Sequence, residues 1–426
     1  MFIKCVIHFF ISILLITIIE STIIGKSSDG RKHYIVVIKS AQNSDLEPTV
    51  AITKTTDSIY QDHISWISNI HSQATIVTSL DENGPLYTAN NSSGDIIIRE
   101  YAIGDNFRAY SATFDPQFVE NILKQREEID YVVPDSEVWV ARNTMGLNEE
   151  DMIEEYLALG DYDKGAKSQD PLFGMRIQTN VPWNLDRLDQ RFLPYDNRYI
   201  SPATGGRRVD VYVIDTHGTH VAGIVGKITE NIDATRVIAV KALGKTGTGS
   251  WSDVIAGMSW VAKRHKHSKR KRSVVNLSLT GKYFPPANAA VKALTDIGVH
   301  VTVAAGNYYG ANACFFSPSS SPEAITTGSS SIDDTISKFS NVGACVDVFA
   351  PGQNVTSVWL RNGTKSLSGT SMASPHVAGV IALVIAQCGN MPPARMKTKI
   401  RDMATRGILK DGSLSSNLLL FLDRLR

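Results

Sequence analysis

Read along the chain, apolar positions first cluster between Cys5 and Ile19, broken only by His8, Ser12 and Thr17. Lys4 precedes the run, and polar residues with Gly25 follow it. A basic start, a short apolar stretch and small residues predict a secretory signal peptide over 1–25, with an uncleaved anchor as the alternative. The run is shorter than the roughly 20 residues a membrane-spanning helix needs. No later segment reads as long and apolar enough to cross a bilayer, so the expectation is a soluble mature protein without stable membrane insertion.

Between residues 33 and 140 the periodicity changes from element to element. His33–Ile38 is β-branched and bounded by charge, which predicts a strand. Ile59, Ile64, Ile67 and Ile70, with Trp66, give 58–71 one apolar helical face. Asp95–Tyr101 reads as a strand. Asp115-Pro116 places an N-cap before a proline, predicting a helix over 115–128. Tyr131–Val133 and Val138–Val140 read as short strands. This succession predicts a small α+β domain over 33–140.

Residues 141–176 lose that patterning. Seven acidic residues fall between Glu149 and Asp163 with few large apolar ones, which predicts a solvated acidic linker. From residue 177 to 426, apolar runs alternate with amphipathic stretches. Strands are predicted at Val209–Ile214, Val237–Leu243, Val274–Leu279 and Val299–Ala305. Helices are predicted at Val221–Ile228, Trp251–Lys263, Pro286–Ile297 and Ser374–Gln387. Strands apolar throughout and separated by helices imply an α/β fold: a parallel sheet covered by helices on both faces. Functional groups in such sheets gather beyond the C-terminal strand ends.

Composition adds three limits. The 426 residues carry 43 Lys+Arg against 42 Asp+Glu, so overall charge gives no argument for a nucleic-acid partner. The basic run Lys263–Arg272 reads as a solvated loop, with a polyanion patch or a cleavage site as alternatives. Four cysteines exclude a disulfide-dense scaffold, and removal of Cys5 with the signal leaves three, hence one bridge and one free thiol. Sequons stand at Asn90, Asn91, Asn276, Asn354 and Asn362, of which Asn276 falls in a predicted buried strand.

Three segments carry chemistry: Asp215-Thr216-His217-Gly218-Thr219-His220-Val221-Ala222-Gly223, Ala304-Ala305-Gly306-Asn307, and Gly369-Thr370-Ser371-Met372-Ala373-Ser374-Pro375-His376-Val377-Ala378-Gly379. Taken singly, a serine at a helix N-terminus is ordinarily a cap, and an Asn after Gly a turn residue. Together, in the order Asp, His, Ser, they resemble the subtilisin-like serine proteases, in the branch around proteinase K and aqualysin. A serine hydroxyl needs a base within hydrogen-bond reach to become a nucleophile. The resemblance implies Ser371 as nucleophile, His217 as base, Asp215 as its orienting carboxylate and Asn307 as oxyanion donor. His220 and His376 fall where the family has no base and are expected to be structural. His217-x-x-His220 lacks a third ligand at zinc spacing. Gly244-Lys245-Thr246 lacks a P-loop's first glycine, because Ala239 stands there.

The resemblance implies more. Gly247-Thr248-Gly249 and Ser278-Leu279-Thr280-Gly281 match the two edges between which an extended peptide pairs. Ala304, Ala305 and Gly306 complete the substrate site. Such a site reads mainly backbone, implying polypeptide substrates, broad specificity and a preference for apolar P1 residues. Cys314 and Cys345 match a disulfide of aqualysin-type members, leaving Cys388 free and packed in its helix. Catalysis requires no cofactor, but Asp347 with the carbonyls of Pro322 and Ala324 matches a structural calcium site. A plain loop role for Asp347 is the alternative. Residues 33–140 resemble the family's inhibitory propeptide through His33–Lys39, His63-Ile64-Ser65-Trp66, Phe107–Ala112 and Asp130–Asp135. The expectation is a monomeric zymogen, released to the extracellular space or a vacuole, with its own propeptide as intramolecular inhibitor.

One departure stands against these expectations. Active relatives separate the Asp and His motifs by a few tens of residues that include a strand, whereas here only Thr216 separates Asp215 from His217. Two extended residues reach roughly 7 Å between Cα atoms, so reach alone permits an Asp–His pair. Orientation is the difficulty, and the sheet is expected to lose a strand and expose an edge. The alternative expectation is therefore a catalytically impaired subtilase fold that binds peptides, or a truncated gene model.

Overall fold

A computed structural model describes residues 30–41, 55–74, 99–140, 175–215, 218–229, 235–244, 246–411 and 415–423. The expected signal, nearly all of the acidic linker and the candidate base His217 lie outside the described residues. The chain divides into two compact units: one reaches Glu100 and resumes over Arg108–Glu137, and the other holds Tyr101–Phe107 and Val138–Arg426.

In the first unit, β1 (Lys32–Ile38) is central. It pairs antiparallel with β3 (Phe107–Phe114) and β4 (Ile129–Pro134), with Val36 opposite both Tyr110 and Val132. β2 (Arg99–Ile103) crosses the boundary between the units in sequence. α1 (Thr56–Ala74) buries Ile59, Tyr60 and Ile67 against β1 and β3 residues such as Tyr34, Val36 and Ala112. The helix expected over 115–128 is shorter. Asp115 caps α2 (Pro116–Asn121) by accepting from the N–H of Gln117 at 2.8 Å and Phe118 at 3.3 Å. The helical path ends at Ile122, whose φ is −123°, and a 3₁₀ turn follows over Leu123–Gln125.

In the second unit, β5 (Glu137–Val140, from Val138 onward), β6 (Met175–Thr179), α3 (Trp183–Asp186) and β7 (Arg198–Pro202) come first. Then follow β8 (Asp210–Ile214), α4 (Gly218–Ile228), β9 (Arg236–Val240), β10 (Thr248–Ser250), α5 (Trp251–His267), β11 (Ser273–Leu277) and β12 (Leu279–Lys282). Next are α6 (Pro285–Asp296), β13 (His300–Ala304), β14 (Phe316–Ser317), β15 (Ile325–Ser330), β16 (Val348–Pro351), β17 (Val355–Val358) and β18 (Thr364–Leu367). α7 (Thr370–Cys388), α8 (Pro393–Met403), β19 (Thr405–Arg406) and β20 (Leu418–Leu419) complete the unit.

The main sheet has the order β19-β20-β16-β15-β13-β11-β8-β9 and is parallel from β20 to β9. Alternate residues serve opposite faces, as the two-residue period of a strand requires. Val211, Val213 and Val274 pack with Val221, Val377 and Ile381 of α4 and α7. On the other face Tyr212 meets Trp260 of α5 edge-on. β9 pairs only with β8 among the described residues, so the sheet ends where the sequence reads as short of a strand. α7 corrects one expectation: it is long and apolar enough to cross a membrane. Sixteen of its residues are buried in the fold, which gives this composition its place in the core.

Candidate active site

Three parallel strands deliver the candidate groups at their C-terminal ends. β8 ends at Ile214, and Asp215 follows, buried. β11 ends at Leu277; Ser278 follows and the chain leaves the sheet as β12. β13 ends at Ala304, leading into Ala305, Gly306 and Asn307. Gly306 has φ +101°, and a Cβ there would lie 2.4 Å from Asn341 Nδ2. Both the backbone conformation and the space exclude a side chain.

Ser371 is the second residue of α7, fully buried. The helix starts before Ser371 and Pro375 lies inside it, whereas the expected start placed Pro375 in the first turn. Proline has no N–H, so the Ser371 carbonyl four residues earlier loses its helical donor. Ser278 Oγ donates to that carbonyl at 2.8 Å, and Ser371 Oγ donates to the Ser278 carbonyl at 2.9 Å. Asn276 Nδ2 donates to Ser278 Oγ at 2.8 Å, and its Oδ1 accepts from Ser374 Oγ at 2.7 Å. A buried polar network thus fixes the turn that carries Ser371. It also makes Asn276 a buried structural residue, as the pattern of its strand led one to expect of this sequon.

Asn307 is pinned by one end of its amide. Its Oδ1 accepts from Thr370 N–H at 3.0 Å and from Thr370 Oγ1 at 2.9 Å. Its Nδ2 is buried without a hydrogen-bond partner among the described residues. A buried amide donor left open is costly unless something is to fill it. The arrangement suits a charge that develops beside Ser371.

The two expected substrate edges are brought together around β5. β5 lies between β10 and β12 in a sheet of order β10-β5-β12-β14. Trp139 stands opposite Thr280 and Val140 opposite Leu279, antiparallel, and Val140 N–H donates to the Gly247 carbonyl at 2.9 Å. Trp139 Nε1 donates to Tyr308 OH, and their rings meet edge-on. Tyr308 in turn stacks on Phe316 at 4.5 Å. Tyr308 was not among the residues the motifs singled out. Its position right after Asn307 was the available signal.

His217 and Thr216 lie outside the described residues, so Asp215 and Ser371 are the two described members of the expected triad. The other two motif histidines are structural. His220 Nε2 donates toward the carbonyls of Lys365 at 2.9 Å and Val355 at 3.1 Å. His376 Nδ1 donates to the Met372 carbonyl at 2.7 Å, and its Nε2 accepts from Asn184 Nδ2 at 3.0 Å. Burial lowers both to about 4 and keeps them neutral.

Cys314 and Cys345 form the expected disulfide, with Cα atoms 5.4 Å apart. Cys388 is free but exposed, not packed in its helix. The calcium expectation meets a different occupant. The carbonyls of Pro322 and Ala324 and the Asp347 carboxylate do converge, but on Lys397 Nζ, at 2.9, 2.7 and 2.8 Å. With an ammonium between them, these oxygens do not fit a calcium ion as well. Among the described residues, no group of three or more His, Cys, Asp or Glu side chains converges as a metal site.

The profile of the Subtilase family matches residues 163–418. The chain belongs to the subtilase family. The peptidase inhibitor I9 profile matches residues 33–141, ahead of the subtilase domain. That order, inhibitor before peptidase, is the order of a serine protease made as a zymogen. Over 434 residues the subtilase is 32% identical to the subtilisin-like proteinase Spm1 of Pyricularia oryzae, covering 88% of this chain and 76% of that one. Over 280 residues it is 38% identical to the extracellular serine proteinase of a Thermus species, covering 58% and 67%. A crystal structure of a cold-adapted subtilisin-like serine proteinase superposes with a TM-score of 0.54 at 35% identity, over 57% of this chain and 98% of that one.

Proposed function

We propose that this subtilase is a secreted serine endopeptidase. Ser371 Oγ attacks the scissile carbonyl carbon while His217 takes the hydroxyl proton. Asp215 orients the imidazole and balances its charge. Asn307 Nδ2 donates to the oxyanion. The C–N bond then breaks, His217 gives the proton to the leaving amine, and an acyl ester remains on Ser371. Water hydrolyses that ester by the same proton route. One observation carries this reading: Asn307 is held by its acceptor end at Thr370, the residue before Ser371, and its donor end is left open.

The substrate reading follows the two edges. An extended polypeptide pairs between Gly247, Thr248, Gly249 and Ser278–Gly281, with Ala304, Ala305 and Gly306 at the P1 side. Small apolar walls favour apolar P1 residues, and backbone pairing gives breadth. Val138–Val140 supports this reading, since it is an extended segment already paired there. The signal peptide expected from the sequence and the Cys314–Cys345 bridge support an oxidising compartment, extracellular or vacuolar.

A second reading is a catalytically impaired subtilase that binds peptides without cutting them. It is favoured by the two residues between Asp215 and α4 and by β9 as the end strand of the sheet. Hydrolysis of a peptide p-nitroanilide with an apolar P1 residue separates the two. Turnover by matured protein, abolished in Ser371→Ala and in His217→Ala, supports the peptidase. Saturable peptide binding without turnover supports the binder. Sequencing the transcript across codons 215–217 adds a check, since a longer encoded segment there would restore the family's spacing.

A further inference from the structure

The cation between Pro322, Ala324 and Asp347 belongs to the protein itself. Lys397 projects from α8 into a pocket of three oxygens: the Pro322 carbonyl at 2.9 Å, the Ala324 carbonyl at 2.7 Å and Asp347 Oδ2 at 2.8 Å. An ammonium has three donors, and all three are taken. The distances are those of charge-assisted hydrogen bonds; calcium–oxygen contacts are shorter, about 2.3–2.6 Å. Asp347 is buried, and its remaining capacity is used as well. Thr326 N–H donates to Oδ2 at 2.9 Å, and Arg401, one helical turn beyond Lys397, donates to Oδ1 at 2.9 Å. Two protein cations already face one carboxylate. A calcium ion held by the same three oxygens would have to displace Nζ and sit beside Arg401.

We propose that Lys397 is a tethered replacement for a divalent cation, and that it holds the 322–326 segment, Asp347 and α8 together without metal. The physical difference is one of mass action. A bound ion is lost when its free concentration falls, and with it the stability it confers. A covalently attached ammonium cannot be chelated or diluted away. This corner of the fold therefore keeps its stability where free calcium is scarce.

The test is thermal unfolding of the full chain and of Lys397→Ala and Lys397→Met, each in excess EDTA and in millimolar calcium. In EDTA both variants should unfold about 5 °C or more below wild type, because a buried carboxylate loses a partner. Lys397→Ala opens the pocket but keeps its oxygens, so calcium should raise its midpoint by more than it raises wild type's. Lys397→Met fills the pocket with apolar atoms and should show no such extra rise. Comparison with wild type removes any calcium bound elsewhere from the reading. Wild-type stability in Lys397→Ala overturns the proposal, as does a calcium response no larger than wild type's. If the variants do not fold, a crystal of the wild-type chain grown in calcium decides. Nζ among the three oxygens supports the proposal, and an ion there with Lys397 turned away overturns it.

Discussion

Asn307 accepts two hydrogen bonds from Thr370, one from its N–H at 3.0 Å and one from its hydroxyl at 2.9 Å. Thr370 immediately precedes Ser371, so the strand-end that carries the amide donor and the helix start that carries the hydroxyl are locked to each other. The two halves of the change Asn307→Ala can therefore be separated. Asn307→Ala removes the donor and leaves two Thr370 donors without their acceptor. Asn307→Asp keeps the acceptor, but it removes the donor and puts a carboxylate oxygen where the oxyanion would form. Asn307→Asp should keep the wild-type melting temperature within a few degrees while kcat falls about 100-fold or more, the size of the loss when one oxyanion donor is removed in subtilisin, a relative of this chain. Steady-state kinetics and thermal unfolding on the same samples check both parts.

Trp139, near the end of the segment that matches the inhibitor profile, is held against Tyr308. Its ring meets Tyr308 edge-on, and its Nε1 donates to the Tyr308 hydroxyl. Aromatic pairs of this kind contribute about 0.5–1.5 kcal/mol beyond burial, and a hydrogen bond about 1 kcal/mol. Trp139→Ala in a separately added prosegment should weaken inhibition of matured enzyme by roughly 10- to 100-fold. Tyr308→Phe should remove only the hydrogen-bond share. An inhibition constant unchanged by both substitutions would contradict the contact.

The first unit should weaken on mild acidification. His63 is buried, with Nδ1 on the Glu128 carboxylate at 2.8 Å and Nε2 at 2.9 Å from the Tyr110 hydroxyl. Burial lowers its pKa from the usual 6.5, against the pull of Glu128. A depressed histidine is neutral in the fold and takes its proton more readily when unfolded. Its stabilising share is therefore complete above pH 6.5 and is lost as pH falls below it. Glu128, itself held below its usual 4.5 despite burial, adds a further loss only at lower pH, through its bonds to His63 and Arg126. The unfolding midpoint of this unit should drop between pH 7 and pH 5, and His63→Gln should flatten that drop.

The Cys314–Cys345 bridge spans 31 positions in sequence. A loop of that length implies about 3–4 kcal/mol of stabilisation, or roughly 10 °C in a domain of about 250 residues. Cys314→Ser with Cys345→Ser should lower the melting temperature by about that amount. Cys388→Ser, at an exposed thiol, should leave it within a degree or two.

The parts of the fold that could be read from the sequence were those with a single cause. β8, β11 and β13 are buried throughout and mostly apolar because both faces of a parallel sheet are covered. The turn at Ser371 was legible as a motif, but its internal logic was not. Pro375 sits inside α7 because the carbonyl it leaves without a helical donor is taken by Ser278, a residue 93 positions away. The helix predicted over 115–128 was cut short at Ile122, since an apolar period cannot reveal a local break in φ. Lys397 was invisible for a related reason. A lysine in an amphipathic helix reads as solvated, and only the fold brings the Pro322 and Ala324 carbonyls and Asp347 around it. The Asp215–His217 spacing was plain in the sequence, and its counterpart in the fold is β9 at the end of the sheet.

The claim that Ser371 is an activated nucleophile is tested most directly by a fluorophosphonate probe. It bonds covalently only to a serine whose proton a base can take and whose oxyanion is stabilised. The full chain should be expressed, allowed to mature, and analysed by peptide mass spectrometry after labelling. One phosphonate on Ser371 is expected, absent from Ser371→Ala and strongly reduced in His217→Ala. Folded, matured protein that carries no label on Ser371 would contradict it.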